Sequence, residues 1–279
     1  MNGNHFFFNS RSILKGLFPA FLIMILFNCN QNLTESTTTT TTTGTTTTTT
    51  TTIYGKIDTI ENFKSTHLNN SRNIRVYLPK SYDASDSQRY KVVYMHDGQN
   101  VFAPGGPYGC WFVEKAYADL QKKDLIEELI IVGINNNSDR IKEYTPTFDA
   151  GYKDGGRGEL YTKFIIEEVM PYVDKNYKTK TGPENTAIIG SSLGGLISMY
   201  IAWNHPEKFG MAGCVSSSFW WDNRNLLKEI EASSVKKNVK FWIDCGTAEG
   251  DDGATDIVDA SNDGRAYMLE DARRAADKL

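Results

Sequence analysis

The sequence predicts an α/β fold, a mostly parallel sheet with helices on both of its faces. From residue 53 onward, short apolar runs alternate with segments of helical periodicity. Such alternation is typical of parallel sheets, whose strands are joined by helical crossovers. The run over residues 90–95 is continuously apolar, as expected for a strand that is covered on both faces. Another apolar run, residues 187–189, leads through a glycine-rich turn into a helical pattern.

The first half of this region combines strands, one helix and a long loop. Residues 53–65 and 73–79 have the pattern of antiparallel strands, and Pro79 ends the second one. The remaining predictions are a buried strand over 90–95, a loop over 96–102 at its carboxyl end, a helix over 111–120, a buried strand over 129–134 and a polar loop over 135–157.

In the second half of this region, from residue 159 onward, predicted helices and strands alternate more regularly. The predicted elements are a helix over 159–172, a strand over 187–189 with a helix after it, a strand over 211–215, a helix over 222–230, a strand over 239–244 and a helix over 265–279. Apolar residues share one face of the last helix, at positions 268, 269, 272, 275, 276 and 279. Ligands of parallel sheets bind beyond the carboxyl ends of the strands, so we expect a site there.

The first 52 residues differ in composition from the rest. Residues 1–28 hold two basic residues and then an apolar run over 16–27, which predicts a secretory signal. The ending Leu-Phe-Asn-Cys is similar to a bacterial lipobox, so we expect a lipid on Cys29 and an exported protein anchored to a membrane. An uncleaved anchor and ordinary signal cleavage are the alternatives. Residues 34–52 are almost entirely threonine, and we predict a disordered linker over 29–52 and a folded domain over 53–279.

Composition excludes several classes of function. The formal net charge is −4 and no basic stripe is visible, which argues against nucleic-acid binding. No Cys/His spacing suggests zinc and no Gly-Lys-Ser/Thr loop suggests a bound phosphate, so we expect neither a metal nor a cofactor. Cys214 and Cys245 belong to apolar strand patterns and are predicted to be small buried residues; a disulfide between them is the alternative.

A strand, a tight turn and a helix surround Ser192 in the segment Gly-Ser-Ser-Leu-Gly, residues 190–194. In this context Gly-x-Ser-x-Gly forms a nucleophile elbow, which exposes the serine hydroxyl at the carboxyl end of the strand. The backbone N–H of Leu193 can then stabilise a developing oxyanion. We therefore predict that Ser192 is a catalytic nucleophile, which requires a base and an acid that orients the base.

Several short segments carry a resemblance to a known family. They are residues 93–102, 143–146, 190–196, 206–209, 216–221 and 244–249. In this order they resemble the putative-esterase family of α/β hydrolases, which includes enterochelin esterases, feruloyl and acetyl-xylan esterases, esterase D and the mycolyltransferases. The resemblance extends over residues 72–270 and implies an α/β-hydrolase fold that hydrolyses carboxylic esters.

The resemblance also implies roles for individual residues. The family's Gly-Thr-x-acid motif places the catalytic acid at Glu249, with Asp251 and Asp252 as rivals in the same loop. A second oxyanion donor is expected from the backbone N–H of Gly98 or Gln99, in the loop over 96–102.

Three aromatic residues are predicted to form the substrate pocket. Trp220 and Trp221 begin just beyond the carboxyl end of a strand, where pocket-lining residues are expected, although packing in the core is an alternative for one of the two. Tyr144 is expected to brace the active-site loop, with a surface position as the alternative.

The catalytic base is missing from this pattern. The four histidines are at positions 5, 67, 96 and 205, and none follows Glu249, although in this fold the order along the chain is serine, acid, histidine. We expect His205 to lie at the end of a helix, His67 in an exposed turn, and His96 to shape the oxyanion pocket. The prediction is therefore a chain without its final strand and histidine loop.

The sequence supports three hypotheses of function. The first is an exported ester hydrolase that acts through an acyl-enzyme on Ser192 and is impaired because its base is missing. Its substrate is a small-molecule or polysaccharide-linked ester, which the motifs do not identify further. The second is a non-catalytic surface lipoprotein that uses the hydrolase fold for binding. The third is an acyltransferase, which shares the acyl-enzyme and differs in the acceptor.

Overall fold

The computed structural model describes residues 5–9, 36–42, 45–52, 54–246 and 268–279. The chain forms two compact units. The serine unit comprises Met1–Ser12, Ser138–Lys163 and Ala187–Leu279, and the strand-rich unit comprises Ile13–Asn137 and Phe164–Thr186.

The strands and helices that were predicted from residue 53 onward occur in the predicted order, together with further elements. The strands are β1 His5–Asn9, β2 Ser36–Thr42, β3 Thr45–Thr52, β4 Gly55–Ser65, β5 Asn70–Leu78, β6 Lys91–His96, β7 Leu129–Ile134, β8 Phe148–Asp149, β9 Asp154–Gly155, β10 Thr186–Ser191, β11 Met211–Val215 and β12 Lys240–Gly246. The α-helices are α1 Val113–Gln121, α2 Arg140–Glu143, α3 Gly158–Lys163, α4 Met170–Asn176, α5 Leu193–Asn204, α6 Trp221–Ala232 and α7 Met268–Lys278. A π-helical segment, Phe164–Val169, connects α3 to α4, and short 3₁₀ helices span Gly98–Asn100 and Pro183–Asn185.

The strand-rich unit contains a mixed sheet in the order β6-β7-β5-β4-β3-β2. Strands β6 and β7 are parallel, and each further neighbour is antiparallel. Every residue of β7 is buried, which explains why its sequence is continuously apolar rather than alternating. A bulge between Ile60 and Phe63 interrupts the pairing of β4 with β5.

The threonine-rich segment differs from the predicted linker. Its described residues form β2 and β3, and β3 pairs antiparallel with β4 from Thr46 opposite Glu61 to Thr52 opposite Gly55. Threonine is β-branched and favours extended backbone, and the edge of β4 offers unpaired N–H and C=O groups to a neighbouring strand. In addition, the Thr49 hydroxyl donates a hydrogen bond of 2.5 Å to Asp58 Oδ1. Available backbone partners therefore order a segment that has no hydrophobic periodicity.

The serine unit contains the strands in the order β1-β12-β11-β10. Strands β10, β11 and β12 are parallel, so their carboxyl ends lie at one edge of the sheet, and β1 is antiparallel to β12. The described part of the predicted signal segment is thus a strand in this structure, from His5 opposite Gly246 to Asn9 opposite Trp242. Helix α5 packs against β11, and α7 packs against β12 and α6.

Two segments differ from their predictions: the predicted loop over 135–157 contains regular elements, and the predicted helix over 222–230 begins irregularly. The polar loop over 135–157 contains α2 and the hairpin of β8 and β9. Helix α6 begins at Trp221, but Asp222, Asn223 and Arg224 have positive φ angles of 46°, 51° and 62°. Regular helix therefore begins only after Arg224, because three consecutive left-handed residues cannot belong to a right-handed helix.

No helix among the described residues is long and apolar enough to cross a membrane. The same residues contain no group of three or more His, Cys, Asp or Glu side chains that is placed to hold a metal ion.

Two ion pairs attach α7 to α6. Asp271 is almost fully buried and accepts a bond of 2.7 Å from Arg224 Nε, although hydrophobic periodicity alone would place an apolar residue there. Arg274 donates two bonds, of 2.9 and 2.8 Å, to the Glu231 carboxylate. The hydrogen bonds from Arg274 lower the pKa of Glu231 below its ordinary value.

We expect Asp271→Ala to lower the free energy of unfolding by about 1–3 kcal/mol, because it leaves the Arg224 guanidinium without its carboxylate. Urea denaturation measures the change. The matched control is Asp277→Ala, an exposed carboxylate on the same helix, which should change stability by less than about 0.5 kcal/mol. Equal effects of the two variants would contradict a stabilising role of the buried pair.

Candidate active site

Ser192 occupies the turn between β10 and α5 in a strained backbone conformation. Its φ is 57° and its ψ is −123°, a combination that non-glycine residues rarely adopt and that costs about 1–3 kcal/mol. A hydrogen bond of 3.0 Å from its N–H to the Val215 carbonyl ties this backbone to β11. The residue is exposed to solvent. This conformation, at a strand–turn–helix junction, is that of a nucleophile elbow.

Gly195 permits the close packing of the turn. A Cβ atom built at this position would lie 2.2 Å from Ser217 Oγ, 3.1 Å from Ser217 Cβ and 3.2 Å from the Gly190 carbonyl oxygen. No side chain fits in this space without movement of the segment that carries Ser217.

The N–H of Leu193 is available as an oxyanion donor. Leu193 is the first residue of α5, and the first N–H groups of a helix have no intrahelical acceptor. Within the described part of the chain, this N–H makes no hydrogen bond. It lies next to Ser192 at the positive end of a 12-residue helix, where developing negative charge is stabilised.

Gly98 and Gln99 lie at the start of a 3₁₀ helix in the strand-rich unit. A Cβ atom at Gly98 would lie 2.4 Å from the Gly133 carbonyl carbon, so close contact with β7 requires glycine. The Gln99 side chain accepts a bond of 3.1 Å from the Asn136 N–H, and Asn136 Nδ2 donates a bond of 2.5 Å to Asp97 Oδ1. The loop is therefore held firmly against the segment that follows β7.

A three-serine segment, residues 216–218, lies beside the elbow after β11. The Ser216 N–H donates to the carbonyl and to Oδ1 of Asp244, at 3.0 and 3.2 Å. Asp244 is buried near the carboxyl end of β12. Burial raises the pKa of the neighbouring Cys214 thiol well above its ordinary value, and the charge of Asp244 adds to the effect. Both Cys214 and Cys245 are buried thiols, as the strand pattern predicts.

Ser218 makes two direct contacts with Ser192. Its Oγ lies 3.1 Å from Ser192 Oγ, and its N–H donates a bond of 3.1 Å to the Ser192 carbonyl. Its own carbonyl accepts a bond of 3.1 Å from the Trp221 N–H. Ser218 therefore connects the elbow to the start of α6.

The two tryptophans form an aromatic cluster with Tyr152, which the sequence analysis did not identify. The centroid of the Tyr152 ring lies 5.6 Å from that of Trp220 and 5.2 Å from that of Trp221. Trp220 and Trp221 are 8% and 3% exposed, whereas Tyr152 is 40% exposed and covers both. The Trp221 indole N–H donates a bond of 2.9 Å to the Thr147 carbonyl.

The hairpin that carries Tyr152 is also attached through Asp149. One oxygen of its carboxylate accepts bonds of 2.7 and 2.9 Å from the Gly151 and Tyr152 N–H groups, and the other accepts a bond of 2.9 Å from the Asp222 N–H. The predicted pocket-lining tryptophans are thus mostly buried beneath this hairpin.

Tyr144 is fully buried, which excludes the alternative of a surface position in this structure. Its ring lies 5.0 Å from that of Tyr161, and the Arg140 guanidinium carbon lies 5.0 Å from its centroid. Its described ring contacts are with α2 and α3, and as a fully buried ring it does not line an open pocket here.

The histidines that have described side chains make other contacts. His205 ends α5, and its Nδ1 lies 3.2 Å from Glu207 Oε1. In the strand-rich unit, His67 Nε2 lies 2.7 Å from Glu167 Oε2 and His96 is buried at the end of β6. The predicted acid Glu249, its rivals Asp251 and Asp252, and the predicted lipid site Cys29 lie outside the described residues.

Sequence reasoning missed the contact of Ser218 with Ser192 and the packing of Tyr152 against Trp220 and Trp221. Ser218 belongs to a segment used for the family resemblance, but its contact with Ser192 joins positions 26 residues apart. Tyr152 lies in a predicted polar loop, where one aromatic residue carries no periodicity from which a partner could be inferred.

Comparison with known proteins identifies similar chains. The family model described as Putative esterase matches residues 65–275. The uncharacterized protein YbbA of Bacillus subtilis is 32% identical over 192 residues, which cover 67% of this chain and 72% of YbbA. An endo-1,4-beta-xylanase/feruloyl esterase of Xylanibacter ruminicola is 26% identical over 214 residues, which cover 74% of this chain and 27% of that protein.

A solved structure agrees in fold. The crystal structure of an IroE-like serine hydrolase from Shewanella oneidensis superposes with a TM-score of 0.51 at 24% sequence identity. The match covers 62% of this chain and 54% of that one, so this chain spans about half the length of the solved protein.

Proposed function

The chain belongs to the putative-esterase family and has the α/β-hydrolase fold, and on this basis we propose that it hydrolyses carboxylic esters through an acyl-enzyme on Ser192. Family membership supports ester hydrolysis as the activity. The observation that supports Ser192 as the nucleophile is its strained, solvent-exposed elbow beside the N–H of Leu193.

The reaction divides between two steps. In the first, Ser192 Oγ loses its proton to a base and attacks the ester carbonyl carbon, and the alcohol leaves with a proton. In the second, water attacks the acyl-serine and releases the acid. The Leu193 N–H donates to the oxyanion of both tetrahedral intermediates. We propose that an N–H of Gly98 or Gln99 is the second donor and that Glu249 is the acid.

The positions of the histidines support the proposal that acylation is slow in this chain. No histidine follows Glu249 in the sequence, and His205 pairs with Glu207. We propose that this chain acylates without an imidazole base. Its acylation rate should then keep rising with pH to about 9 or beyond, whereas a histidine base of ordinary pKa would give a plateau above about pH 7.

The direct test is labelling with a fluorophosphonate probe, which reacts with activated serines, followed by mass mapping of the labelled peptide. Attachment at Ser192, together with turnover of an activated aryl ester, is the expected result. Absence of both over pH 6–10 would overturn the proposal and favour the non-catalytic binding hypothesis, which the histidine pattern also supports. Ester exchange with an added alcohol at the expense of hydrolysis would instead indicate an acyltransferase.

The substrate class is proposed from the relatives. One is named as an endo-1,4-beta-xylanase/feruloyl esterase and others as iron(III) enterobactin esterases. We propose that this chain takes a small-molecule or polysaccharide-linked ester. A panel of acetyl, aryl and cyclic triester substrates separates these classes through kcat/KM.

Export to a membrane surface is a separate proposal, supported by the basic and apolar leader and by the position of Cys29. When the full chain is expressed in a bacterial host with labelled palmitate, we expect the label on the protein and the protein in the membrane fraction. Cys29→Ser should abolish the label, and Cys110→Ser is the matched control that should retain it. Equal labelling of both variants would contradict lipidation at Cys29.

A further inference from the structure

Ser218 is placed to act on the nucleophile itself. Its Oγ lies 3.1 Å from Ser192 Oγ, slightly longer than the roughly 2.5–3.0 Å that is usual for a hydrogen bond between hydroxyl groups. Two backbone bonds, one to the Ser192 carbonyl and one from the Trp221 N–H, hold the Ser218 main chain in place. These bonds fix the Ser218 backbone relative to that of Ser192, so the two hydroxyl groups are kept close to each other.

Burial decides the direction of this hydrogen bond. Ser218 is 2% exposed, and within the described residues Ser192 Oγ is the partner of its hydroxyl. A buried O–H that does not donate costs free energy, whereas Ser192 is exposed and its own O–H can reach solvent, a base or substrate. Ser218 therefore donates and Ser192 Oγ accepts.

A donor at this position favours the anionic form of the acceptor. When Ser192 gives up its proton to hydroxide or a buffer base, the Ser218 O–H remains bonded to the alkoxide, and hydrogen bonds to charged groups are stronger than those between neutral groups. The same bond weakens once Ser192 Oγ becomes an ester oxygen, so it acts mainly on the step in which the acyl bond forms.

We propose that Ser218 is a positioning residue that orients Ser192 Oγ and stabilises its deprotonated form during acylation. The inference rests on the proposed function, since it assigns a role in the same acyl-enzyme chemistry. Among the described side chains, Ser218 is the hydrogen-bond partner of Ser192 Oγ. If acylation proceeds without an imidazole base, as proposed, solvent base must remove the proton, and stabilisation of the alkoxide then has its largest effect.

The adjacent residue provides a matched control. Ser217 is also 2% exposed, but its Oγ has no hydrogen-bond partner within the described residues. Ser217→Ala and Ser218→Ala therefore remove the same atoms from neighbouring buried positions, and only one of them faces Ser192 Oγ.

The experiment measures the rate of fluorophosphonate labelling from pH 6 to 10 for the wild-type chain, Ser217→Ala, Ser218→Ala and Ser218→Thr. We expect Ser218→Ala to label 10- to 100-fold more slowly at pH 8, at an unchanged half-saturating probe concentration, with its rate–pH curve moved to higher pH. Ser218→Thr keeps the hydroxyl and Ser217→Ala keeps the contact, so both should stay within about threefold of wild type.

The result that overturns the inference is a Ser218→Ala rate equal to that of Ser217→Ala, or a slower rate with an unmoved pH profile. If Ser218→Ala does not fold, as judged by its thermal transition, Ser218→Cys replaces it, because a thiol has similar volume but donates weakly. Failure of the wild-type chain to label at Ser192 would overturn the proposed function instead, so the two failures are distinguishable.

Discussion

Ser192→Ala is expected to abolish fluorophosphonate labelling and to reduce the turnover of activated aryl esters at least tenfold. The substitution removes the only atom to which the acyl group is proposed to bond, while the elbow and the Leu193 N–H remain. In hydrolases with a complete triad, loss of the serine costs on the order of 10⁶ in kcat. For a chain that acylates without an imidazole base, as proposed, we expect a drop of at least tenfold, because most of that enhancement depends on the complete triad.

The control for this prediction is Ser87→Ala, an exposed serine in the strand-rich unit. It should label and turn over ester at the wild-type rate. Circular dichroism of both variants should match that of the wild type. Ser192 is exposed and its Oγ contacts one hydroxyl group, so its replacement by alanine removes little packing. Residual labelling of Ser192→Ala above one tenth of wild type would place the nucleophile elsewhere.

Gly195→Ala is expected to destabilise the serine unit and to impair labelling of Ser192. The new Cβ would lie 2.2 Å from Ser217 Oγ, far inside van der Waals contact, so either the turn or the 216–218 segment must move. Overpacking of this kind costs about 1–3 kcal/mol. Thermal and urea denaturation measure the loss, and the labelling rate reports the displacement of the elbow.

A double-mutant cycle with Ser217→Gly tests the stated cause. Ser217→Gly removes both contacts that the new Cβ would make with this residue, leaving the one at 3.2 Å with the Gly190 carbonyl oxygen. The pair should therefore recover at least about 1 kcal/mol relative to the sum of the single effects. Additive effects would show that the cost of Gly195→Ala comes from the backbone of the turn rather than from Ser217.

The bounds of strands that are covered on both faces of the sheet were the most accurately predicted feature of the fold. Strands over 129–134 and 211–215 were predicted with the bounds of β7 and β11, because burial demands a continuous apolar run that contrasts with polar neighbours. The prediction of an acylation site at Ser192 also depends on a local pattern, since the strand, the turn and the helix around it are contiguous in the chain. Local patterns are sufficient where the neighbours in space are also neighbours in sequence.

Features that depend on distant partners were not predictable. The threonine tract was predicted to be disordered because it has no apolar period, yet β3 is paired along the edge of β4. The left-handed turn over residues 222–224 was predicted as helix, because no glycine marks it. In that turn the Asp222 N–H bonds to Asp149, far away in the sequence, and a tertiary contact of this kind overrides the helical periodicity.

The amino-acid sequence by itself determined the α/β fold class and the family to which the chain belongs, and it predicted the strand–turn–helix segment around Ser192, since each depends on residues that are close along the chain. Only the tertiary structure decided that Ser218 Oγ lies 3.1 Å from Ser192 Oγ, that the Tyr152 ring packs against Trp220 and Trp221, and that Tyr144 is fully buried. The contact between the two serines arises because the parallel strands β10 and β11 bring their carboxyl ends to one edge of the sheet. The side chains in all three contacts carry no mark of each other in the sequence.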